Sequence, residues 1–526
     1  MRTQALFGMI AVGLRAATLV LQSLVIGGIV FRRWIAADTH EPTREVLFVR
    51  ASAVGLAVTQ LLYLGLNTAI LARSLGLGLA DVATANYFVT GMVAIVAALV
   101  IAFIPARRQM HPNNLIILLA LVLLACGVAG SHAISRMEDR VVLAVFTAVH
   151  QFAAAVWIGG LPQLWLSLRE PEPGGGFVTT QRFSRLALAS VVALLGSGVA
   201  LALRYIDAPS AMYGTSYGLM LGVKVLFFMV LLSIGAANRM LLRSHDRERA
   251  KLLLRRLLEA EIGIGITAIL AAASLTSQPP AADLKLGRVT SAEIYERMKP
   301  MRPRLDSPEL SEVSASTLQA EKQAKQAGLP PPQVHANTSG DIGWSEYNHH
   351  WAGVFVLLIG LMAALAQIRG FRGMRYWPLL FVGLGVFILL RADPEGWPLG
   401  PDSFWEAIQN GEVLQHKAFA LLVILFAVFE LRVQLGKARA RAAYVFPAVC
   451  ALGGALLLTH SHSLDNIKEQ LLAELSHAPI AIAAVLAGWS RWLQVRLPAG
   501  EGGFAARMWP ACFLVIGAVL VNYREA

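Results

Sequence analysis

LALASVVALLGSGVALAL, residues 186–203, contains no charged side chain and no proline. As a helix it would extend about 27 Å at 1.5 Å per residue, close to the ~30 Å hydrocarbon core of a bilayer. In hydrocarbon every backbone N–H and C=O has to be paired within its own segment, and a helix does this. Runs of this kind recur along the 526 residues, of which 56% are hydrophobic and 15% charged, with a mean hydropathy of +0.59. Soluble domains stand nearer 45–50% apolar and about 25% charged. The sequence therefore predicts an all-α polytopic transmembrane bundle.

About fourteen spans are expected, in two halves. Eight lie near 5–31, 50–73, 82–105, 114–134, 140–168, 183–204, 217–243 and 256–277. Six more lie near 349–368, 376–391, 413–434, 442–460, 474–493 and 504–522. Between the halves, the stretch containing QPPAAD, KPMRPRLDSPE and GLPPPQ is too charged and proline-rich to enter lipid. The expected division is an eight-helix membrane domain over 1–281, an extracytoplasmic linker over 282–345, and a six-helix membrane domain over 346–526. The opening apolar run lacks a small-residue cleavage site and is read as a first membrane helix, not a removed signal.

The net charge of +12 does not indicate nucleic-acid binding, because the basic residues sit in short inter-helix loops, where they set orientation. NRMLLRSHDRERAKLLLRR, residues 238–256, is the densest of these loops and should be cytoplasmic. Counting outward, FRRW, ARRQMHP, RGFRGMR, RVQLGKARAR and RWLQVRL fall on the same side, while neutral or acidic loops face the other. This alternation puts both termini and the linker outside the cytoplasm. Cys126, Cys450 and Cys512 lie in apolar runs without CxxC spacing, which argues against a disulfide framework or a thiolate metal site.

In that topology six of the twelve histidines reach one membrane level on four helices. His349 and His350 begin the ninth span, His416 the eleventh, and His477 the thirteenth; His460 and His462 end the twelfth. Each taken singly reads as an interfacial histidine satisfied by water and headgroups. Together they suggest metal ligation, since imidazole suits copper, zinc, iron and nickel. Glu346, Glu412 and Glu474 lie one turn from His349, His416 and His477. Such acids fit a carboxylate-bridged di-metal bundle, a set of groups orienting the imidazoles, or water-facing residues. His416 and His477 on separate helices also fit axial ligation of haem b, and sequence spacing does not separate haem from bare copper.

In the first half, His150 lies about ten residues into the fifth span, roughly 15 Å deep, and an ionisable residue at that depth is a functional candidate. Trp157 follows seven residues on, along the same face, and Gly159 and Gly160 permit close helix approach. His132 closes the fourth span and could join a site with Met137. Lys224 is expected to snorkel outward or pair with an acid. Glu259 and Glu261 are read as acids at the start of the eighth span, favoured there by the helix dipole.

FSRLALASVVALLGSGVALALRYI, YGTSYGLMLGVKVLFFMVLLSIGAANRMLL and EAEIGIGITAILAAASLTSQPPA resemble the membrane domain of the copper-resistance protein D (CopD/PcoD) family. HQFAAAVWIGGLPQLW is similar to the His and Trp-x-Gly-Gly element that precedes them, so the likeness covers about 140–281, and more weakly 1–135. WSEYNHHWAG, DPEGWPLGP, LQHKAF and LTHSHS look like the extension of longer members. The resemblance implies an inner-membrane protein that handles copper, moving it from periplasm to cytoplasm with a periplasmic CopC-like β-sandwich carrier as donor. The positions carried over are His150 and Trp157. The chain departs from the family in lacking a fused CopC-like domain and a Met-rich extracytoplasmic tract.

No GxxxxGK[ST] loop and no phosphorylatable Asp motif is present. Copper binding and transfer is the leading expectation, passive or coupled to potential or protons, with no enzyme activity. Histidine ligation would make binding pH-sensitive, because protons compete for the same lone pair. The alternatives are a bis-His haem b redox protein working with periplasmic copper, and a structural assembly partner. Expected metal ligands are His150, His349, His350, His416, His460, His462 and His477; haem would draw on His416, His477, His350 and His460.

Overall fold

The structure is a computed structural model that describes residues 2–36, 43–75, 78–105, 113–136, 139–169, 176–284, 286–308, 339–394, 396–409, 411–459, 467–498 and 500–525. Among these residues there is no strand, and thirteen helices are long and apolar enough to cross a membrane. Asn114–Ala129 is a further apolar helix of 16 residues. At about 24 Å it falls short of the ~30 Å hydrocarbon thickness, so of the fourteen expected spans the fourth, near 114–134, is the short one.

The described residues form two compact units, Met1–Val289 with Ala455–Gln470, and Thr290–Gly454 with Leu471–Ala526. The first contains α1 (Arg2–Trp34), α2 (Thr43–Leu75), α3 (Asn86–Phe103), α4 (Asn114–Ala129), α5 (Arg140–Ser167), α6 (Phe177–Tyr205), α7 (Ser216–Leu241) and α8 (Arg247–Thr276). Side-chain oxygens set several starts by taking an orphan backbone N–H. Asn113 Oδ1 accepts from Ile116, Thr215 Oγ1 from Gly218 and Asp246 Oδ1 from Arg249.

Helix α1 is the hub of this unit, packing on α2, α4, α5 and α8. It approaches α5 backbone to backbone: a Cβ on Gly27 would strike the Ala155 carbonyl, and one on Gly159 the Ser23 carbonyl. In lipid, where tails are as apolar as leucine, such small-residue contact holds helices together through close packing. At one end of α1 and α2, Arg32 Nη1 and Glu45 Oε2 pair at 3.0 Å with both side chains buried. Leu203, Phe103 and Val141 stand exposed on the outer helix faces, where a membrane would cover them.

The second unit contains α9 (Ser291–Met298), α10 (Ser339–Leu365), α11 (Leu379–Arg391), α12 (Gly411–Gln434), α14 (Ile467–Arg496) and α15 (Gly503–Val521), with α13 (Val445–Thr459) shared between the two groupings. Helices α10 and α15 meet at Gly353 and Gly517; a Cβ on the latter would come within 2.6 Å of the Leu357 nitrogen. Beside them an aromatic cluster fills the core. Trp377 sits 5.3 Å from Phe446 and 5.6 Å from Trp509, ring centre to ring centre, mostly edge-on.

Part of the stretch expected as a linker is packed here. Thr290 and Glu293 form a reciprocal capping box on α9. Beyond it, the Met301 N–H donates to Asn522 Oδ1 and the Arg304 N–H to His350 Nδ1. Residues 309–338 lie outside the described set.

The α1–α5 crossing gives a direct expectation. Gly159→Ala should destabilise the full chain by about 1–3 kcal/mol, the range for overpacking, whereas Gly196→Ala, with open space around it, should not. Thermal unfolding in detergent reads the difference; equal melting temperatures for the two variants would contradict the crossing.

Candidate functional site

The histidines expected to gather in the C-terminal bundle bond to their surroundings. His350 is fully buried. Its Nδ1 accepts from the Arg304 N–H at 2.8 Å, so Nε2 carries the proton and donates to the Tyr523 carbonyl at 2.9 Å. Both nitrogens are committed to backbone, which corrects the expectation that His350 is a ligand. His349 donates from Nδ1 to the Ser345 carbonyl at 2.8 Å and stacks on Tyr523 at 3.8 Å. Glu346, one turn earlier, faces Arg304 at 3.9 Å and does not orient the imidazole.

His416 Nδ1 lies 2.7 Å from Asp393 Oδ1, and Lys417 Nζ 3.4 Å from the other oxygen. A carboxylate on one imidazole nitrogen orients the ring and fixes its tautomer. His477 is half-buried on α14, on the same helix as the buried Glu474. His460 and His462 lie outside the described residues, as does the side chain of Glu412. Among the described residues no three His, Cys, Asp or Glu side chains group closely enough to hold a metal. Among the described residues, then, His349, His350, His416 and His477 build no such group.

The first unit has a different arrangement. A cavity of about 230 Å³ opens between α1, α5, α6, α7 and α8, lined by His150, His132, Lys224, Arg15, Trp157 and Tyr217 among others. His150 Nδ1 is 3.2 Å from Ser197 Oγ. The Ser197 hydroxyl has one proton and directs it to the Ala193 carbonyl at 2.6 Å. The hydroxyl therefore accepts from His150, Nδ1 carries the hydrogen, and the lone pair belongs to Nε2. That tautomer leaves Nε2 open to a metal, with a hydrogen-bond partner behind the ring. Gly198 makes room: a Cβ there would come 3.3 Å from His150 Cε1.

His132 lies past the end of α4, in the short helix His132–Ser135. It lines the same cavity, and its Nε2 is buried with no hydrogen-bond partner. Two imidazoles thus face one space. Met137, the soft donor expected beside His132, lies outside the described residues. Lys224 does not leave the bundle: it lines the cavity near His150, and among the described residues no acid pairs with it.

Two residues with a place in the site, Glu261 and Asn238, are not found by sequence reasoning in the positions they hold. Helix α8 begins at Arg247, capped by Asp246, so Glu261 lies about four turns inside it and not at its start. The dipole reading of Glu261 is thereby corrected. The side chain is buried; Oε1 accepts from the Trp157 indole at 3.1 Å and Oε2 from the Asn238 amide at 2.6 Å. The membrane depth of Glu261 was the available signal, masked by the basic residues just before it.

Burial holds the His132 imidazole below its ordinary value of about 6.5, with nearby Arg15 adding to the effect. The unfolded chain therefore binds this proton more readily, and stability is lost as pH falls below about 6.5. The melting temperature of the metal-free chain should drop between pH 7.5 and 5.5, and His132→Gln should remove part of that slope. Superimposable slopes would contradict the burial of a neutral imidazole here.

Residues 178–275 match the family Copper resistance protein D. A protein named copper transport protein CutJ, from Bacillus subtilis (strain 168), is 33% identical over 162 residues, 30% of this chain and 29% of that protein. The match thus spans less than a third of either chain. No solved structure matches the chain. The family match contains Ser197, Gly198 and Lys224 from the cavity and Asn238 and Glu261 below it. Residues 178–275 are thus similar to the copper resistance protein D family, within a longer membrane chain.

Proposed function

We propose that this chain binds copper in the His150 cavity and passes it across the bacterial inner membrane, without a catalytic step. The observation that carries the reading is the His150–Ser197 pair. It leaves an Nε2 lone pair in a cavity that also receives His132, and three of the helices around that cavity, α6, α7 and α8, fall largely in the stretch similar to the copper resistance family. The name of the CutJ relative supports copper as the cargo. Imidazole nitrogen is a suitable ligand for copper, and Cu(I) accepts low coordination numbers, so two rings with solvent make a workable docking site.

The cavity end carrying His132 is opposite the basic loop 238–256, and by the positive-inside rule it faces the periplasm. A periplasmic copper carrier of the CopC type is the donor that fits this orientation. The histidines of the second unit are assigned to its architecture, with His416, oriented by Asp393, as the position there best suited to a passing metal.

Copper binding by the purified full chain tests the reading. His150→Ala should abolish stoichiometric copper, and Ser197→Ala should weaken affinity by about 10–100-fold, the usual effect of losing a partner behind a ligating imidazole. A dithionite-sensitive Soret band in place of copper, or copper content unchanged in His150→Ala, would overturn it.

A further inference from the structure

A second cavity, of about 260 Å³, lies within the first unit. Its lining continues that of the His150 cavity along each shared helix. On α7 the first cavity uses residues from 217 to 231 and the second those from 232 onward. On α6 the corresponding ranges are 194–205 and 180–191, and on α8, 268–276 and 254–261. The two spaces are stacked end to end along the bundle axis. Among the described residues, Trp157 alone lines both. It stands two turns past His150 on α5, about 10 Å further along.

The second chamber presents oxygen where the first presents imidazole. Glu261 lines it, held by the Trp157 indole on one oxygen and by the Asn238 amide on the other. Because the Asn238 nitrogen faces the carboxylate, its Oδ1 points the other way, and that atom is buried with no hydrogen-bond partner. Asn238 is itself 8% exposed. Arg239 also lines the chamber, with its guanidinium turned to Ser184 Oγ at 3.2 Å.

Resting on the copper reading above, we propose that the Glu261–Asn238 chamber is a second cation station and that Trp157 is the plug between the two. A cation seated against Glu261 takes the carboxylate oxygen that the indole holds, and half a turn of the Asn238 amide brings its Oδ1 round to the ion. Arrival of the ion and release of the plug are then one event. The ligands divide the work: imidazole captures copper, while carboxylate and amide oxygens hold it more weakly and let it leave. The Trp157 ring packs edge-on against Phe228 at 6.1 Å and closes the passage when the ion is gone.

The test uses the full chain in proteoliposomes, copper(I) ions kept reduced with ascorbate, and a copper-chelating dye sealed inside. Copper bound by each detergent-purified variant is measured alongside. Glu261→Gln keeps the shape and removes the charge; it should lower flux by roughly tenfold or more, the loss expected for a charged ligand, while copper bound at the His150 cavity is retained. Asn238→Ala, which removes the unpartnered oxygen, should lower flux in the same sense. Trp157→Ala should raise flux above wild type. Flux within twofold of wild type in both Glu261→Gln and Asn238→Ala, or no increase in Trp157→Ala, overturns the inference and leaves the copper reading standing. A wild-type chain that passes no copper overturns both.

Discussion

A carboxylate inside a membrane bundle has no water to satisfy it, so the protein must supply every hydrogen bond it makes. Glu261 meets that constraint with two donors from two other helices, the Trp157 indole on α5 and the Asn238 amide on α7. The bonds tie three helices together at mid-bundle and fix the indole across the space between two cavities. On one side of the indole the cavity lining includes the imidazoles of His150 and His132; on the other it includes the oxygens of Asn238 and Glu261. The chemistry available at each level follows from which side of this one ring a residue lies.

The second unit uses its polar residues differently. His350 joins the segment after α9 to the C-terminal residues through its two ring nitrogens, and His349 lies flat on Tyr523. These bonds close one end of the α10–α15 pair. Imidazole there acts as a two-ended hydrogen-bonding spacer between backbone groups of two non-helical segments, at Arg304 and Tyr523. The aromatic cluster around Trp377 and Phe446 supplies the packing further in. A histidine-rich membrane boundary therefore does not by itself mark a metal site: the partners of each nitrogen decide.

The helices were legible because hydrocarbon enforces them, and apolar length reports that constraint directly. That His150 lies inside the bundle was legible from its depth in an apolar run, and the close approach at Gly159 from its glycine neighbour. What sequence could not give was the partner of each polar atom. Histidines look alike as letters, yet His350 spends both nitrogens on backbone while His150, in the other half of the chain, keeps one lone pair, a difference set by Arg304, Tyr523 and Ser197 far away in the chain. Glu261 was misread because the apolar window begins near it, whereas α8 starts at Arg247 and extends through a basic stretch that hydropathy excludes. Lys224 was expected to reach outward or find an acid, and it faces a cavity that composition does not reveal.

The most direct measurement of the central claim is copper K-edge X-ray absorption of the copper(I)-loaded full chain. The expected spectrum has nitrogen neighbours with the outer-shell scattering of imidazole rings, and that signal is lost in His150→Ala. A first shell of sulfur, or ring scattering that survives unchanged in His150→Ala, would contradict the assignment of copper to this cavity.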